Sequence, residues 1–311
     1  MNNIDITNPI ILSFIFFFLT LISFYKFIPL AKKRLLDKPQ DRSSHEKAIP
    51  TGGGIVFAIL GSIVTAINDF YIPTIALPLS IVGLFDDKYE LPSYFRYFSQ
   101  ALICIFLFSI SPLSKSLNDY RIIIVPTIII LSTAVINFCN FIDGLDGLLS
   151  CCMVISISTL SIEENSLLPF MACLIAFIFF NWSPAKIFMG DAGSTFLGAV
   201  YIGSLMQMEN IIFFFKGLIL ITPILADCII CLIRRINAKQ NIFKAHKLHL
   251  YQRLYQSGWS HSKVTILYSI GVLILCLSYI NLDIYDCIVL SVIEIIIGLF
   301  LDKNYAAKFI K

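Results

Sequence analysis

Long, separated apolar runs dominate this chain and leave it few ways to fold. Of its 311 residues, 58% are apolar, against roughly half in soluble domains. A membrane-crossing helix takes about 20 such residues, so there is room for on the order of ten helices and little else. Eleven runs read as spans, near 9–30, 52–70, 72–85, 96–113, 121–138, 148–162, 167–181, 193–208, 211–233, 264–281 and 284–300. The predicted fold is all-α, a polytopic integral membrane protein of about 11 transmembrane helices forming one domain over 1–311. The first lysine is Lys26, so the run Ile10–Tyr25 lacks the basic head of a cleaved leader and is expected to persist as a span.

The connections between runs form two alternating sets. One carries nearly every Lys and Arg, including Lys32, Lys33, Arg34, Arg96, Arg234, Arg235 and Lys263. The other holds Lys115 and Arg121, with Lys216 nearby. Positive charge marks the cytoplasmic side, which predicts an outside N-terminus and a cytoplasmic C-terminus. The longest polar stretch, 234–263, reads as a cytoplasmic loop with a short amphipathic helix at the membrane surface.

The carboxylates follow the same division. Asp86–Asp87, Asp143–Asp146 and Asp191 all fall at ends of apolar runs on the predicted cytoplasmic side. Charged groups near hydrocarbon are costly and mark candidate sites. Asp86 and Asp87 repel, so one protonates unless a cation such as Lys88 or Mg²⁺ neutralises the pair; an interfacial acid pair is the plain alternative. Asn137, Asn140, Asp143 and Asp146 recur every three residues, and a helix would align them as one polar stripe. Asp191, in Gly190-Asp191-Ala192-Gly193-Ser194, stands where a helix begins. It is either a cap or part of an anion- and metal-binding turn, with Gly193 and Ser194 offering N–H groups. Asn181 lies ten residues before it.

Positions 246, 249 and 253 would share a helix face, making His246, His249 and Arg253 a cationic surface for phosphates or for anionic lipid. Zinc would want further ligands, and none is obvious in the sequence. Lys47, beside His45 and Glu46 and before Pro50-Thr51-Gly52-Gly53-Gly54, is a candidate phosphate partner on a bare-backbone loop. Asp227 reads as a partner to a basic residue, without a catalytic role. The nine cysteines lie in or beside apolar runs, which argues against disulfides; Cys228 and Cys231 read as small apolar filler.

Taken in order, PTGGG, DDK, NFIDGLDG, NWSPAKIFMGDAGS and HKLHLYQRL resemble the polyprenyl-phosphate N-acetylhexosamine-1-phosphate transferases. This membrane family includes phospho-MurNAc-pentapeptide translocase and the initiating transferases of O-antigen and teichoic-acid linkage. The loop HKLHLYQRL lacks the translocase's adjacent histidines and looks more like the initiating enzymes, particularly those using UDP-activated dideoxy N-acetylhexosamines. The resemblance implies transfer of N-acetylhexosamine-1-phosphate from a UDP-sugar to undecaprenyl phosphate, with release of UMP.

It further implies Mg²⁺ (or Mn²⁺) at Asp191, catalytic roles for Asp86, Asp87 and His249, and substrate binding by Lys47, Asn140, Asp143, Asp146, Asn181, His246 and Arg253. Which of Asp86 and Asp87 does what is left open by the resemblance. Implied partners are the lipid phosphate, the UDP-sugar and membrane lipid, with no nucleic acid; a homodimer is compatible. The implied location is the bacterial inner membrane, multi-pass, with the active site facing the cytoplasm. The competing readings are the muramyl-pentapeptide transferase and a transporter or flippase. The last would place its acids near the midplane in a repeat architecture.

Overall fold

The computed structural model describes residues 7–39, 47–116, 121–208, 210–242, 244 and 246–309. Among these, structure is almost wholly helical. In order come α1 (Pro9–Arg34), a two-residue hairpin pair β1 (Leu36–Asp37) and β2 (Ile49–Pro50), α2 (Gly54–Ile67), α3 (Ile72–Tyr89), α4 (Ser93–Ile110), α5 (Pro112–Ser116) and α6 (Arg121–Ile142). Then follow α7 (Leu148–Leu160), α8 (Leu167–Asn181), α9 (Asp191–Met206), α10 (Ile211–Leu220), α11 (Thr222–Asn237), α12 (Leu250–Gln256), α13 (His261–Asn281) and α14 (Ile284–Asn304).

All eleven apolar runs are therefore helical, and the fold is that of an all-α membrane protein. Five described helices are long and apolar enough to span a membrane: α1, α4, α6, α13 and α14. A sixth is α10 with α11, if the pair counts as one span bent by 79°. Pro223 stands in the first turn of α11, where its missing N–H is tolerated only at a helix start. Helices α2, α7 and α8 are apolar but shorter.

Lipid-facing surface is visible in α14, where Ile288, Val289, Val292, Ile296 and Phe300 are exposed. In water a continuous apolar face of this kind would be a liability; in hydrocarbon it is the expected exterior. Helix ends are capped by side chains, with Asn8, Asn210, Ser260 and Asp283 accepting from backbone N–H groups.

Helix α9 is the axis. Every residue from Ala192 to Met206 is buried, with α2, α3, α4 and α6 packed around it. Small residues make this possible, since membrane helices associate by close packing. A Cβ at Gly83 of α3 would overlap the Asp191 carbonyl. One at Gly54 of α2 would overlap the backbone of Gly193, and one at Gly198 would sit 2.7 Å from Ile136 Cα on α6. Backbone thus meets backbone at the N-terminus of α9.

Gly83→Ala should therefore destabilise the protein by about 3 kcal/mol, the upper end for overpacking. Gly298→Ala on α14, whose new methyl meets only Leu250 Cδ2 at 3.9 Å, should be neutral or stabilising. Thermal unfolding of both variants in detergent distinguishes the two outcomes.

Candidate active site

The PTGGG segment is hydrogen-bonded to Phe188 and Met189, the residues that lead into GDAGS. Phe188 N donates to Pro50 O (2.8 Å), Gly53 N to Phe188 O (2.9 Å) and Gly54 N to Met189 O (2.9 Å). Gly190 has φ +66, and a Cβ there would strike the Asp87 carboxylate and sit 2.6 Å from the Thr51 hydroxyl. The glycines of PTGGG serve this packing. Thr51 to Gly54 are buried, and Lys47 stands exposed at the bend before β2. His45 and Glu46 lie outside the described residues.

Asp87 fills the helix start. Its Oδ1 accepts from Asp191 N at 2.9 Å and its Oδ2 from Ala192 N at 3.5 Å. Gly193 N and Ser194 N, expected to be offered to an anion, instead bond to Gly190 O at 2.9 and 3.1 Å. The anion at this helix N-terminus is thus the protein's own carboxylate.

Asp86 faces the other way. Its Oδ1 accepts from Leu91 N (2.6 Å) and its Oδ2 from Arg96 Nη1 (2.7 Å). The same Nη1 lies 3.5 Å from Asp191 Oδ2. Asn140 Nδ2 donates to Asp191 Oδ1 (2.7 Å) and to Ser194 Oγ (2.9 Å). Asp86, Arg96, Asn137, Asn140, Asp191 and Thr195 line a small cavity of about 20 Å³. Asp87 is held well above the usual carboxylate range by burial and by the Asp191 charge. Asp191 is raised by burial and by its approach to Asp86, and Asp143 by burial and the Asp191 and Asp87 charges. Three raised carboxyls in one cluster mark a concentration of negative charge only partly compensated by Arg96.

The predicted Asn–Asp stripe holds only in part. Helix α6 ends at Ile142, and residues 143–147 turn, so Asp146 leaves the stripe. Its Oδ2 accepts from Ala185 N (3.1 Å) and its Oδ1 lies 3.2 Å from His261 Nδ1. Burial alone would raise Asp146, but the His261 contact and the Ala185 N–H hold it below the usual range. Asn181 is buried, with both acceptor positions of its amide oxygen used. It accepts from Gly147 N (3.1 Å) and Ser150 Oγ (2.9 Å), and donates to Ile187 O (3.1 Å). That makes it a brace between α7, α8 and the 182–190 loop.

The histidine segment also differs from expectation. No helix carries 246, 249 and 253 together, because α12 begins at Leu250, with His249 as its N-cap. The His246 and His249 rings lie 4.9 Å apart. Burial, together with the His249 charge, lowers His246 to about 4. Burial would lower His249 too, but its contact with Asp227 outweighs this and raises it. Arg253 is engaged by the protein itself. It pairs with Asp302 and donates to Leu248 O (3.1 Å) and Ala307 O (2.8 Å). A fixed carboxylate and two carbonyls satisfy its guanidinium, so it ties the loop to the C-terminal segment. Tyr251 Oη donates to Phe141 O (2.9 Å), docking α12 against the end of α6.

Two functional candidates escaped sequence reading, Arg96 and His261. Both sit in the basic connections, but only the fold shows which carboxylate each meets. A larger apolar cavity of about 190 Å³, between α11, α13 and α14, shares no residue with the carboxylate cluster.

A glycosyl transferase family 4 profile matches residues 70–209, a stretch containing the whole carboxylate cluster. The chain belongs to the polyprenyl-phosphate hexosamine-1-phosphate transferase family. A Bacillus subtilis protein named probable undecaprenyl-phosphate N-acetylglucosaminyl 1-phosphate transferase is 31% identical over 265 residues, 76% of this chain and 74% of that protein. The Thermotoga maritima undecaprenyl-phosphate alpha-N-acetylglucosaminyl 1-phosphate transferase is 30% identical, over 71% of this chain and 74% of its own length. A phospho-N-acetylmuramoyl-pentapeptide-transferase of Carboxydothermus hydrogenoformans is 34% identical, but over 45% of this chain and 46% of its own.

The Asp146–His261 contact joins the 143–147 turn to α13. A double-mutant cycle of Asp146→Asn and His261→Gln should return a coupling on the order of 1 kcal/mol. Because folding lowers its pKa, Asp146 contributes stability above about pH 4, and this fades as pH falls through the lower native value. Asp146→Asn should flatten that acid limb in thermal unfolding measured against pH.

Proposed function

We propose that the protein transfers N-acetylhexosamine-1-phosphate from a UDP-sugar to undecaprenyl phosphate, releasing UMP and leaving a lipid-linked sugar diphosphate. The observation that carries this reading is the convergence of Asp86, Asp191, Asn140 and Arg96 on one cavity. The lipid phosphate has a second pKa of about 6, so it is mostly ionised and needs little help from a base. The obstacle is bringing two anions together.

Arg96 is the residue suited to receive a phosphate oxygen, since it is already poised over Asp86 and Asp191. The donor set of carboxylates, amide and hydroxyl is hard oxygen, which fits Mg²⁺ or Mn²⁺. Asp191 and Asp86 would hold the ion, and it would supply charge neutralisation for the diphosphate. Asp87, with both oxygens on α9 amides, positions Asp191 rather than meeting substrate. Asn140 orients Asp191 from the other side. We favour direct displacement, in which the lipid phosphate oxygen bonds to the sugar-bearing phosphorus as UMP leaves.

The proposed setting is the bacterial inner membrane, with eleven crossings, the N-terminus outside and this cavity at the cytoplasmic face. Positive charge in the alternating connections supports that orientation. The relatives' names make N-acetylglucosamine the first sugar to test, with dideoxy N-acetylhexosamines and UDP-MurNAc-pentapeptide as further arms. The transporter reading is disfavoured because these acids stand at helix ends.

Purified protein with radiolabelled UDP-N-acetylglucosamine and undecaprenyl phosphate should yield labelled lipid and UMP, dependent on Mg²⁺. Absence of labelled lipid with every sugar tried would remove the proposal. Asp191→Asn should lower kcat by roughly 10²–10³-fold, the cost of losing a charge-stabilising group. In Arg96→Gln, the uncompensated carboxylates should make added Mg²⁺ raise the unfolding temperature more than in wild type. Equal Mg²⁺ shifts would separate Arg96 from the ion site.

A further inference from the structure

A second group of side chains has donor chemistry unlike that of the carboxylate cluster. Cys231 on α11, His246 in the loop and His249 at the start of α12 each present one ligand atom, and these atoms all lie within 4.8 Å of one another. Cys231 and His249 are nearly fully buried, 3% and 4% exposed. Bonds of about 2.0–2.3 Å from zinc to nitrogen and sulfur would draw such atoms closer by an inward shift on the order of 1 Å.

The surroundings are arranged as they would be around a metal-bound imidazole. His249 Nδ1 faces Asp227 Oδ1 at 3.5 Å, and this buried nitrogen has no hydrogen-bond partner. Asp227 is itself fixed by Leu250 N (2.7 Å), Tyr251 N (3.1 Å) and Tyr268 Oη (2.7 Å). A rigid carboxylate behind a histidine sets its tautomer and leaves Nε2 free as a ligand. Apolar filler accounts for Cys228 and Cys231 as thiols. It does not account for two imidazoles gathered on one of them. The sequence spacing, Cys-x₂-Cys then His-x₂-His after fourteen intervening residues, approaches a zinc pattern.

We propose that Cys231, His246 and His249 bind a borderline-soft divalent cation of the Zn²⁺ class. Cys228, one turn earlier on α11, or a water completes the shell. On binding, the Cys231 thiol releases its proton to solvent and the sulfur becomes the anionic ligand. His249 keeps its Nδ1 proton toward Asp227. His246 Nδ1 now accepts from Leu248 N at 3.2 Å. Ligation through either ring nitrogen ends that bond, because the nitrogen's lone pair is taken by the metal or by a proton. The ion would fasten the loop to α11 and, through Tyr251, to the end of α6 beside Asp143. Its role is therefore structural and separate from the Mg²⁺ chemistry proposed above.

The test uses the full-length protein in neutral detergent, freed of metal by a chelator and titrated with Co²⁺. The expected result is one tetrahedral Co²⁺ per chain, with a thiolate-to-cobalt charge-transfer band that Zn²⁺ bleaches and excess Mg²⁺ leaves intact. Cys231→Ser and His246→Gln should each lose the band, and Cys173→Ser, on distant α8, should keep it. Asp227→Asn should weaken Co²⁺ binding by roughly 10–100-fold. Folded wild-type protein with no such band, a band that survives Cys231→Ser, or one displaced by Mg²⁺ overturns the proposal. The wild-type titration decides the matter even where a variant fails to fold.

Discussion

The structure depends on how the first turn of α9 is held. Its leading N–H groups are buried among packed helices, and orphan donors in such a place are expensive. The Asp87 carboxylate satisfies them from α3. That contact requires α3 and α9 to meet backbone to backbone, which Gly83 and Gly190 permit. It also places Asp86, the next residue along α3, on the opposite side of the same helix end, where it meets Arg96 and approaches Asp191. One carboxylate is spent on building the site and its neighbour is left to line it.

The same economy recurs around the cavity. Asn181 and Asp146 are polar and buried, yet the bonds they make go to loop backbone, Ser150 and His261. They hold the 143–147 turn and the 182–190 loop in register, which keeps Asp143 and Asp191 in one cluster. A polar residue beside a site divides by what its atoms already bond, and that separates Asn140, which faces Asp191, from Asn181, which faces main chain.

Beyond the carboxylates, the loop after α11 is tied down at several points. Arg253 and Arg234 meet Asp302 near the end of α14, Tyr251 reaches the end of α6, and His249 rests against Asp227. A segment that reads as a basic surface helix is instead partly folded back on the protein, with Arg235, His249 and Arg253 buried and Lys239, Lys244 and Lys263 left exposed. The buried cations meet carboxylates or backbone carbonyls because an unmatched buried cation costs more than an ordered loop.

Much was decided by the sequence alone. The eleven apolar runs all become helices, because hydrophobic periodicity and length act locally. The acid clusters stand at helix ends, because charge cannot remain in the apolar middle of a run. What the sequence could not determine was pairing. Spacing placed Asp146 on a stripe and 246, 249 and 253 on one helix face, but α6 stops at Ile142 and α12 starts only at Leu250, where tertiary contacts from His261 and Asp227 compete with helix propagation. The partners of Asp86, Asp146 and Cys231 lie 10, 115 and 15 or more residues away in the chain. Those contacts, which separate a bracing residue from a reacting one, exist only once helices from distant parts of the sequence have packed around α9.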